Sequence, residues 1–392
     1  MKAKPQKSES EKLKGDVDSK GYMDIIRPAV ICSDPDQLVQ FVLKERGMNP
    51  YTSVVLTGMD DGQGFCKIAA VFLDTGDDLG TQGRAKYSDG VAPKNFKNSS
   101  VKKLMILAVV PNVPENHPNM QAILSELNMQ AVEFSVSADV KMLNCLTGKA
   151  SGQPKFGCPF CNTGVPYNKE EYDLYTLGDL EDWHESYIQA GSKHTLQQNF
   201  QNVINPPLLH GPRDKRVLGH LNIPELHLLI GIVDKLIAGF ENKVFETPVE
   251  GREWMDRYLK GVAIVRKSYQ GCHSLEGNQS SSFLKKIDVL EREIMKEDDE
   301  VKVAGLQYIQ VFRALREVQE ACFSMVLMPD FKVKINLFSN LYRQLGITVT
   351  PKVHILESHI IDFYEITGEK VGLGFFSEQG FESMHHDMKV SN

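Results

Sequence analysis

Hydrophobic positions in the first third of the chain follow strand spacing. Three runs rich in Val, Ile, Leu and Phe are followed by a segment with helical spacing and then by an alternating run: Thr52–Thr57, Phe65–Leu73, Leu104–Val110, Asn119–Leu127 and Ala131–Val136. The predicted order is therefore β-β-β-α-β. A short amphipathic helix with an acidic start and a basic end is predicted before this series, over Asp34–Arg46.

The pattern changes to long helical periods after residue 140. Residues 165–350 carry almost no strand signal, and five helices are predicted there: Leu177–Ile188, Pro224–Phe245, Arg252–Arg266, Phe283–Met295 and Glu300–Leu327. Two more are predicted near the end, over Pro351–Tyr364 and Ser377–Met388. The sequence therefore predicts an α/β region interrupted by an all-helical region.

Composition limits the class of protein. The chain has 392 residues, 42% of them hydrophobic and 24% charged, which is enough for a core and predicts two or three units of roughly 150 residues. The net charge of −7 argues against a generally basic, nucleic-acid-binding surface, but it leaves local basic patches open. Seven scattered cysteines argue against a disulfide framework, and neither a signal peptide nor a membrane span is predicted. A soluble intracellular protein is expected.

Acidic residues follow two of the predicted strands. Asp60 and Asp61 come after the first strand, and Asp139 comes after the fourth. Three antiparallel strands, a helix and a fourth strand form the opening half of a ribonuclease-H-like fold, in which the first and fourth strands are neighbours. Together with Glu382 from a later helix, these carboxylates would suit two Mg²⁺ ions and in-line phosphoryl displacement. The alternative, that they are ordinary solvated loop residues, stays open at this point.

A second candidate site centres on Cys158-Pro-Phe-Cys161. The Cys-x₂-Cys spacing lets two thiolates reach one tetrahedral Zn²⁺, but a second pair of ligands is needed. His354 and His359 are the best second pair, although five residues is slightly wide for one face of a helix. A redox pair and two unligated thiols remain alternatives, and so do two local ligand pairs: His184 with His194, and Cys272 with His273.

Four motifs, taken in order, resemble those of a known family. They begin with Ser137-Ala-Asp139-Val-Lys-Met-Leu-Asn-Cys-Leu-Thr-Gly148, which runs on to Cys158-Pro-Phe-Cys161. The other three are Pro224-Glu-Leu-His227-Leu-Leu-Ile-Gly231, Val353-His354 through His359, and Gly374-Phe-Phe-Ser-Glu378-Gln-Gly-Phe-Glu382-Ser-Met-His385. Together they resemble DDE transposases related to Transib elements and to the V(D)J recombinase catalytic subunit. The resemblance is closer still to transposon-encoded proteins of invertebrates, and it covers roughly residues 50–388.

The resemblance implies a role for each matching position. Asp139 and Glu382 match the second aspartate and the glutamate of the catalytic set, with Glu378 as a competing choice, and the first aspartate falls at Asp60 or Asp61. Two Mg²⁺ or Mn²⁺ ions are implied at these carboxylates. A structural Zn²⁺ is implied at four ligands that in the family join a helical insertion to the catalytic core: Cys158, Cys161, His354 and His359.

The expected fold class is α/β, a ribonuclease-H-like core with a large all-helical insertion and a zinc-binding site. The expected organisation is a disordered tail (1–20), a helical lead-in (21–49), the first part of the core (50–162), the insertion (163–349) and the completion of the core (350–392). Because the chain ends ten residues after Glu382, the catalytic helix is expected to be truncated.

The implied function is that of a DNA transposase or recombinase that cleaves and transfers DNA strands. Its expected partners are transposon ends and target DNA. It is expected to lie in the nucleus without contacting a membrane and, by analogy, to form a homodimer. Two rivals remain: an inactive, transposon-derived protein that binds DNA or another partner and keeps the zinc-clamped fold, and a ribonuclease-H-like nuclease that acts on RNA or hybrids.

Overall fold

The computed structural model describes most of the chain beyond residue 104 and parts of the region before it. The described residues are 2–3, 23–24, 29–45, 47, 53–62, 65–74, 104–111, 113–128, 134–150, 155–167, 169, 171–269 and 272–377. At some strand positions, Asp60 and Asp61 among them, only the backbone is described. Glu378, Glu382 and the predicted helix that contains them lie outside the described residues, as does almost all of the predicted tail.

A two-residue pairing joins β1 (Lys2–Ala3) to β2 (Met23–Asp24). The main sheet is separate from it and has five strands: β3 (Val30–Ile31), β4 (Ser53–Gly62), β5 (Phe65–Asp74), β6 (Met105–Pro111) and β7 (Phe134–Ser137). Their spatial order is β3-β6-β5-β4-β7, in which β4 pairs with β7 in parallel and the other neighbours are antiparallel. A short helix, α1 (Pro35–Glu45), lies between β3 and β4 in the chain.

The first long strand, β4, extends further than its hydrophobic run predicts. The sequence pattern ended this strand at Thr57 and placed Asp60 and Asp61 in the loop after it, which is wrong. The ladder with β5 continues through Asp60, which pairs with Lys67, to the pair Gly62–Phe65. Only two residues separate the strands, and so short a hairpin connection keeps both strands paired up to the turn. Both aspartates are therefore strand residues.

Two helices connected with these strands supply buried apolar side chains. α2 (His117–Leu127) begins at the N-cap Asn116, whose side chain accepts a hydrogen bond from the Asn119 N–H, and it buries Met120, Ile123 and Leu127 completely. α3 (Val140–Leu146) follows β7 directly. The same region of the chain buries the central strand residues Leu56, Phe72 and Leu107. The strands and α2 therefore both contribute to the hydrophobic core of this region.

A short segment continues the sheet beyond β7. Leu221 forms a parallel bridge with Val136, and backbone hydrogen bonds join Val136 to His220 and Asn222 on either side of it. The Asn222 side chain also contacts two hydroxyls of β7, because it accepts from Ser135 Oγ and donates to Ser137 Oγ, both at 3.2 Å. The segment thus occupies the position of a further parallel strand at the β7 edge of the sheet.

The chain divides into two compact units. The described part of the first holds the sheet, the residues up to Asn162 and Asp173–Asn222, including α4 (Leu177–Gln189) and a 3₁₀ helix (His194–Phe200). The second unit consists of Thr163–Tyr172 and Ile223–Ser377. The molecule is mixed α/β, with twelve α-helices among the described residues.

The second unit is helical apart from one small hairpin, which the sequence pattern did not predict. Its main elements, in chain order, are α5 (Glu225–Lys243), α6 (Pro248–Gly261), β8 (Lys267–Tyr269), β9 (Cys272–Ser274), α7 (Gly277–Lys285), α8 (Ile287–Ile294), α9 (Asp299–Val318), α10 (Phe331–Gln344), α11 (Pro351–His354) and α12 (Ile360–Thr367). A π-helical turn (Gln319–Phe323) follows α9, another (Ile355–His359) lies between α11 and α12, and a 3₁₀ turn (Leu373–Phe376) comes last.

Two predictions for this helical region change. Phe283–Met295, predicted as one helix, is instead the end of α7 and the whole of α8, which meet at Lys286. Glu300–Leu327 contains α9 and then the π turn, so its α-helical part ends at Val318. Among the described helices, none combines the length and the apolar character that crossing a membrane requires.

Candidate functional site

The two cysteines of the Cys-x₂-Cys motif lie on a tight, buried loop. Cys158 and Cys161 are both fully buried, and the Phe160 N–H points at Cys158 Sγ, 3.5 Å away. The other end of the loop is fixed by a bridge between Cys161 and Leu174 and by a hydrogen bond from the Tyr175 N–H to the Phe160 carbonyl. A backbone amide directed at one sulfur and a short buried loop suit a pair of thiolate ligands.

A buried lysine holds the start of this loop. Lys149 Nζ donates to the carbonyl of Cys158 at 2.6 Å, to the carbonyl of Phe156 at 3.3 Å and to the Tyr175 hydroxyl at 3.2 Å. Burial lowers the pKa of Lys149 to about 8, and the neighbouring Cys158 and Cys161 sulfurs act in the opposite direction. Sequence analysis did not single out this residue, since a lone lysine carries no motif.

The two histidines lie on a helix that is wider than an α-helix. In an α-helix, residues five apart are offset by about 140° around the axis, so they do not share a face. Here Ile355–His359 forms a π-helical turn, whose hydrogen bonds join residues five apart. His354 and His359 therefore lie together, with ring centroids 4.7 Å apart and planes at 84°. The π turn explains why a five-residue spacing works at this site.

Aromatic and acidic neighbours hold the histidine rings in place. Tyr167 stacks on His354 at 4.8 Å, and the edge of Tyr172 meets the His359 ring at 5.0 Å. Asp362 Oδ2 lies 2.9 Å from His359 Nδ1 and also accepts the Tyr172 hydroxyl at 2.8 Å. A carboxylate on Nδ1 fixes the tautomer that leaves Nε2 for a metal, as is usual for metal-binding histidines.

The π turn also contains a buried glutamate, which accepts hydrogen bonds from side chains of α10. Glu357 is fully buried and accepts from Ser339 Oγ at 2.6 Å and from Arg343 Nε at 3.1 Å, and Arg343 also pairs with its second oxygen. Arg343 extends to the Tyr167 carbonyl at 3.4 Å. This network joins the histidine-bearing turn to α10 and to the residue that stacks on His354.

The four predicted ligands form one group. Cys158, Cys161, His354 and His359 are all buried, each offers one ligand atom, and these atoms all lie within 4.8 Å of one another. Ligands of a tetrahedral Zn²⁺ lie about 3.3–3.8 Å apart, given bond lengths near 2.0–2.3 Å. The group can therefore hold a metal ion after small side-chain adjustments. Within the described residues, the alternative pair His184 and His194 joins no such group.

Two of the predicted carboxylate residues follow the last paired residues of two neighbouring strands at the same distance along the chain. β4 and β7 run parallel, and their last paired residues are Gly58 and Ser137. Asp60 comes two residues after Gly58, and Asp139 comes two residues after Ser137. Asp61 is one position further along β4, so it has the opposite strand parity. Glu382, the third predicted carboxylate, lies outside the described residues.

Asp139 has a structural role that the sequence analysis missed. It is the N-cap of α3, and its Oδ1 accepts a hydrogen bond from the Met142 N–H at 2.7 Å. Aspartate is among the preferred N-cap residues, and the signal was present: an acidic residue directly before the apolar series Met142, Leu143 and Leu146. The capping hydrogen bond uses only Oδ1, and Oδ2 of the same carboxylate takes no part in it.

A buried lysine also lies opposite the first aspartate. Lys67 is only 2% exposed, and in the β4–β5 ladder it is the partner of Asp60. Directly opposite residues of an antiparallel pair share a face of the sheet. The hydrophobic pattern predicts a strand over Phe65–Leu73, but it does not mark the lysine inside that strand as a functional residue.

A cavity of about 350 Å³ lies beside α3, and its lining includes His117, Lys141, Cys145 and Lys149. Burial raises the pKa of the Cys145 thiol to about 12, and the nearby Glu115 carboxylate acts in the same direction as a smaller cause. A thiol that stays protonated is a poor nucleophile. Cysteine-based nucleophilic catalysis is therefore not supported in this cavity.

Comparison with known proteins adds one finding. A family model described as a domain of unknown function (DUF8703) matches residues 95–202. No curated protein matches the chain. The matched range contains Asp139, Lys149, Cys158 and Cys161. These four residues thus lie in the part of the chain that is similar to this domain of unknown function.

Proposed function

We propose that this protein is a DDE-type DNA transposase or recombinase, with a ribonuclease-H-like core and a structural zinc. One observation carries the proposal: the parallel pairing of β4 with β7, after whose last pair, Gly58–Ser137, Asp60 and Asp139 each follow by two residues. Carboxylates at equivalent positions on adjacent parallel strands can share a divalent cation. From their positions after predicted strands alone, these aspartates could be ordinary loop residues. The strand pairing favours the interpretation that they bind a metal ion.

The strand order supports the same proposal. β4, β5 and β6 form an antiparallel series, and β7 adds in parallel beside β4 rather than beside β6. The segment at Leu221 then adds in parallel beside β7. A ribonuclease-H-like sheet has this arrangement, with its first strand in the centre. The helical unit follows directly in the chain, from Ile223.

In the proposed reaction, Asp60, Asp139 and Glu382 hold two Mg²⁺ or Mn²⁺ ions. When bound, such ions activate the attacking oxygen and offset negative charge on the leaving oxygen of a phosphodiester. The N-cap hydrogen bond fixes the Asp139 carboxylate in one orientation, because Oδ1 is held by the Met142 N–H. Asp60 is assigned ahead of Asp61, since Asp60, like Asp139, lies two residues beyond the last β4–β7 pair.

The Cys158, Cys161, His354 and His359 group is proposed to bind a structural Zn²⁺. Two sulfur and two nitrogen ligands suit zinc better than magnesium, which prefers oxygen. All four residues are buried, and four protein ligands would complete a tetrahedral set and leave no position for water or substrate. The zinc is therefore assigned to stability and the carboxylates to chemistry.

The remaining parts of the proposal concern context. The partners would be transposon ends and target DNA, the working form would be a homodimer, and the location would be the nucleus. The alternative function is an inactive, transposon-derived protein that binds DNA or another partner. It is favoured by the N-cap role of Asp139, because capping alone accounts for an aspartate at this position.

DNA cleavage tests the proposal. Zinc-loaded protein is incubated with supercoiled plasmid and Mg²⁺ or Mn²⁺, and nicked product is quantified for wild type, Asp60→Asn, Asp139→Asn and Glu382→Gln. We expect nicking by wild type, its loss in all three variants, and its retention in Asp61→Asn. Nicking that persists in both Asp139→Asn and Glu382→Gln would refute the assignment.

Two further outcomes separate the rivals. Wild-type protein that binds duplex DNA but never nicks it supports the inactive alternative. A matched panel of DNA duplex, RNA–DNA hybrid and hairpin oligonucleotides tests the nuclease alternative, which requires cleavage of the hybrid in preference to the DNA duplex.

A further inference from the structure

The side chain of Lys149 is almost completely enclosed, with 3% of its surface exposed. Its backbone is fixed by a hydrogen bond from its N–H to the Asn144 carbonyl and by a bridge to Val203. The preceding Gly148 has φ +75°, and a Cβ there would lie 2.1 Å from the Asn205 carbonyl oxygen, so only glycine fits. The chain therefore delivers this lysine to one defined interior position.

All three N–H groups of the ammonium have partners, and all three partners are neutral. They are the carbonyls of Phe156 and Cys158, just before and at the start of the Cys-x₂-Cys loop, and the hydroxyl of Tyr175. Tyr175 also presents its ring to the ammonium, 4.5 Å from Nζ to the centroid. Lysines are rarely buried unless they are paired, because removing a charge from water is costly.

The negative charges that matter most for Lys149 are those of the two ligand thiolates. Metal binding requires Cys158 and Cys161 as thiolates, and the Lys149 ammonium is hydrogen-bonded to the carbonyl of Cys158 itself, at 2.6 Å. An ammonium beside two thiolates stabilises them, and its hydrogen bonds hold the loop on which they lie. The two effects act on the same metal site but leave different experimental signatures.

We infer that Lys149 is a positioning residue of the metal centre, which holds the Cys158–Cys161 loop through the Phe156 and Cys158 carbonyls and supplies a positive charge beside the two sulfur ligands. This inference rests on the zinc site of the proposed function and not on DNA cleavage. It assigns the buried lysine to the metal site, whereas lysines of a DNA-binding protein are usually assigned to phosphate contacts.

The test compares Lys149→Met and Lys149→Gln with Lys155→Met, using full-length protein. Methionine removes both the charge and the hydrogen bonds, whereas glutamine removes the charge and keeps an N–H donor. Lys155 belongs to the same loop but is exposed, with its Nζ 5.0 Å from the Phe156 ring centroid, so it is the matched control. Zinc per chain is measured after equilibration with a chelator of known affinity.

A second readout separates charge from loop geometry. Co²⁺ is substituted for Zn²⁺, and the sulfur-to-cobalt charge-transfer band is recorded. Without a nearby positive charge, the sulfur electrons are less tightly held, so the band moves to longer wavelength. We expect this shift in Lys149→Met and Lys149→Gln but not in Lys155→Met. Zinc affinity should fall about 10–100-fold in Lys149→Met, as for other residues that orient metal ligands, and less in Lys149→Gln.

Unchanged zinc affinity in Lys149→Met, with the band unmoved, would overturn the inference. If Lys149→Met does not fold, the position of the cobalt band in Lys149→Gln is the test. An unmoved band in Lys149→Gln would then overturn the inference. A wild-type protein that binds no zinc removes the site itself, and with it this inference. Zinc binding without DNA nicking instead leaves the inference intact and contradicts only the catalytic proposal.

Discussion

Asp139 lies two residues past Ser137, and Asp60 lies two residues past Gly58, the residue with which Ser137 pairs in the parallel β4–β7 ladder. The two aspartates therefore lie the same number of residues beyond one strand pair, Asp60 still within β4 and Asp139 just past the end of β7. Asp61, next to Asp60 in the sequence, does not share this spacing. A plain comparison of motifs leaves these two aspartates equivalent, and the strand pairing distinguishes them.

Substitution of Asp139 should separate its capping role from its proposed catalytic role. Asp139→Ala removes the acceptor for the Met142 N–H and should lower the free energy of unfolding by about 1 kcal/mol. Asp139→Asn keeps a capping oxygen and should stay close to wild type in stability. Urea unfolding followed by circular dichroism measures both. Equal stability losses in the two variants would contradict the capping role.

Asp362 should matter for metal affinity although it is not a ligand. Asp362→Asn weakens the partner of His359 Nδ1 and of the Tyr172 hydroxyl, so zinc affinity should fall about 10–100-fold. Glu365→Gln, on the same helix but in an exposed ion pair with Lys332, is the matched control and should leave zinc affinity unchanged. Chelator competition measures both variants, and equal affinities would remove Asp362 from the metal centre.

Glu357 should stabilise the π turn. Glu357→Gln keeps an acceptor for Ser339 but loses the charge that Arg343 pairs with, inside a fully buried environment. We expect the free energy of unfolding to fall by about 1–3 kcal/mol. The exposed pair in Glu365→Gln should cost less than about 1 kcal/mol. Denaturant unfolding of both variants with zinc bound makes the comparison, and a smaller loss for Glu357→Gln than for Glu365→Gln would contradict the role.

Acid should destabilise the first unit through His117. Burial lowers the pKa of His117 below 6.5, against the hydrogen bond that its Nε2 makes with the Pro206 carbonyl, and His184 lowers it further. The unfolded chain then takes up a proton before the folded one, so the contribution is complete above pH 6.5 and is lost as pH falls through the folded pKa. Thermal melts at pH 7.5 and 5.5 should differ less in His117→Gln than in wild type. An equal difference in the two proteins would exclude His117 as the cause.

Much of the sheet could be predicted because its strands carry strong hydrophobic runs. The extent of β4 could not be predicted in this way, since Asp60 and Asp61 are polar and only the short hairpin to β5 keeps them paired. The helix α10 was missed although its buried residues recur at helical spacing, at Phe331, Ile335, Phe338 and Tyr342.

The metal-binding group was predicted from spacing and resemblance, but the means of assembling it was not. A five-residue interval between histidines conflicts with α-helical geometry, and no local propensity marks the π turn that resolves the conflict. The supporting residues were invisible in the sequence for a similar reason. Lys149 and Asp362 act through tertiary contacts, and neither belongs to a motif with fixed spacing.

Manganese binding tests the central claim most directly, because it asks whether the carboxylates of Asp60 and Asp139 bind a divalent cation without requiring a DNA substrate. Protein already loaded with zinc is titrated with Mn²⁺ and followed by electron paramagnetic resonance. Wild type and Asp61→Asn should bind Mn²⁺ alike, and Asp60→Asn and Asp139→Asn should each lose that binding. Mn²⁺ binding in Asp139→Asn equal to that of wild type would contradict the account.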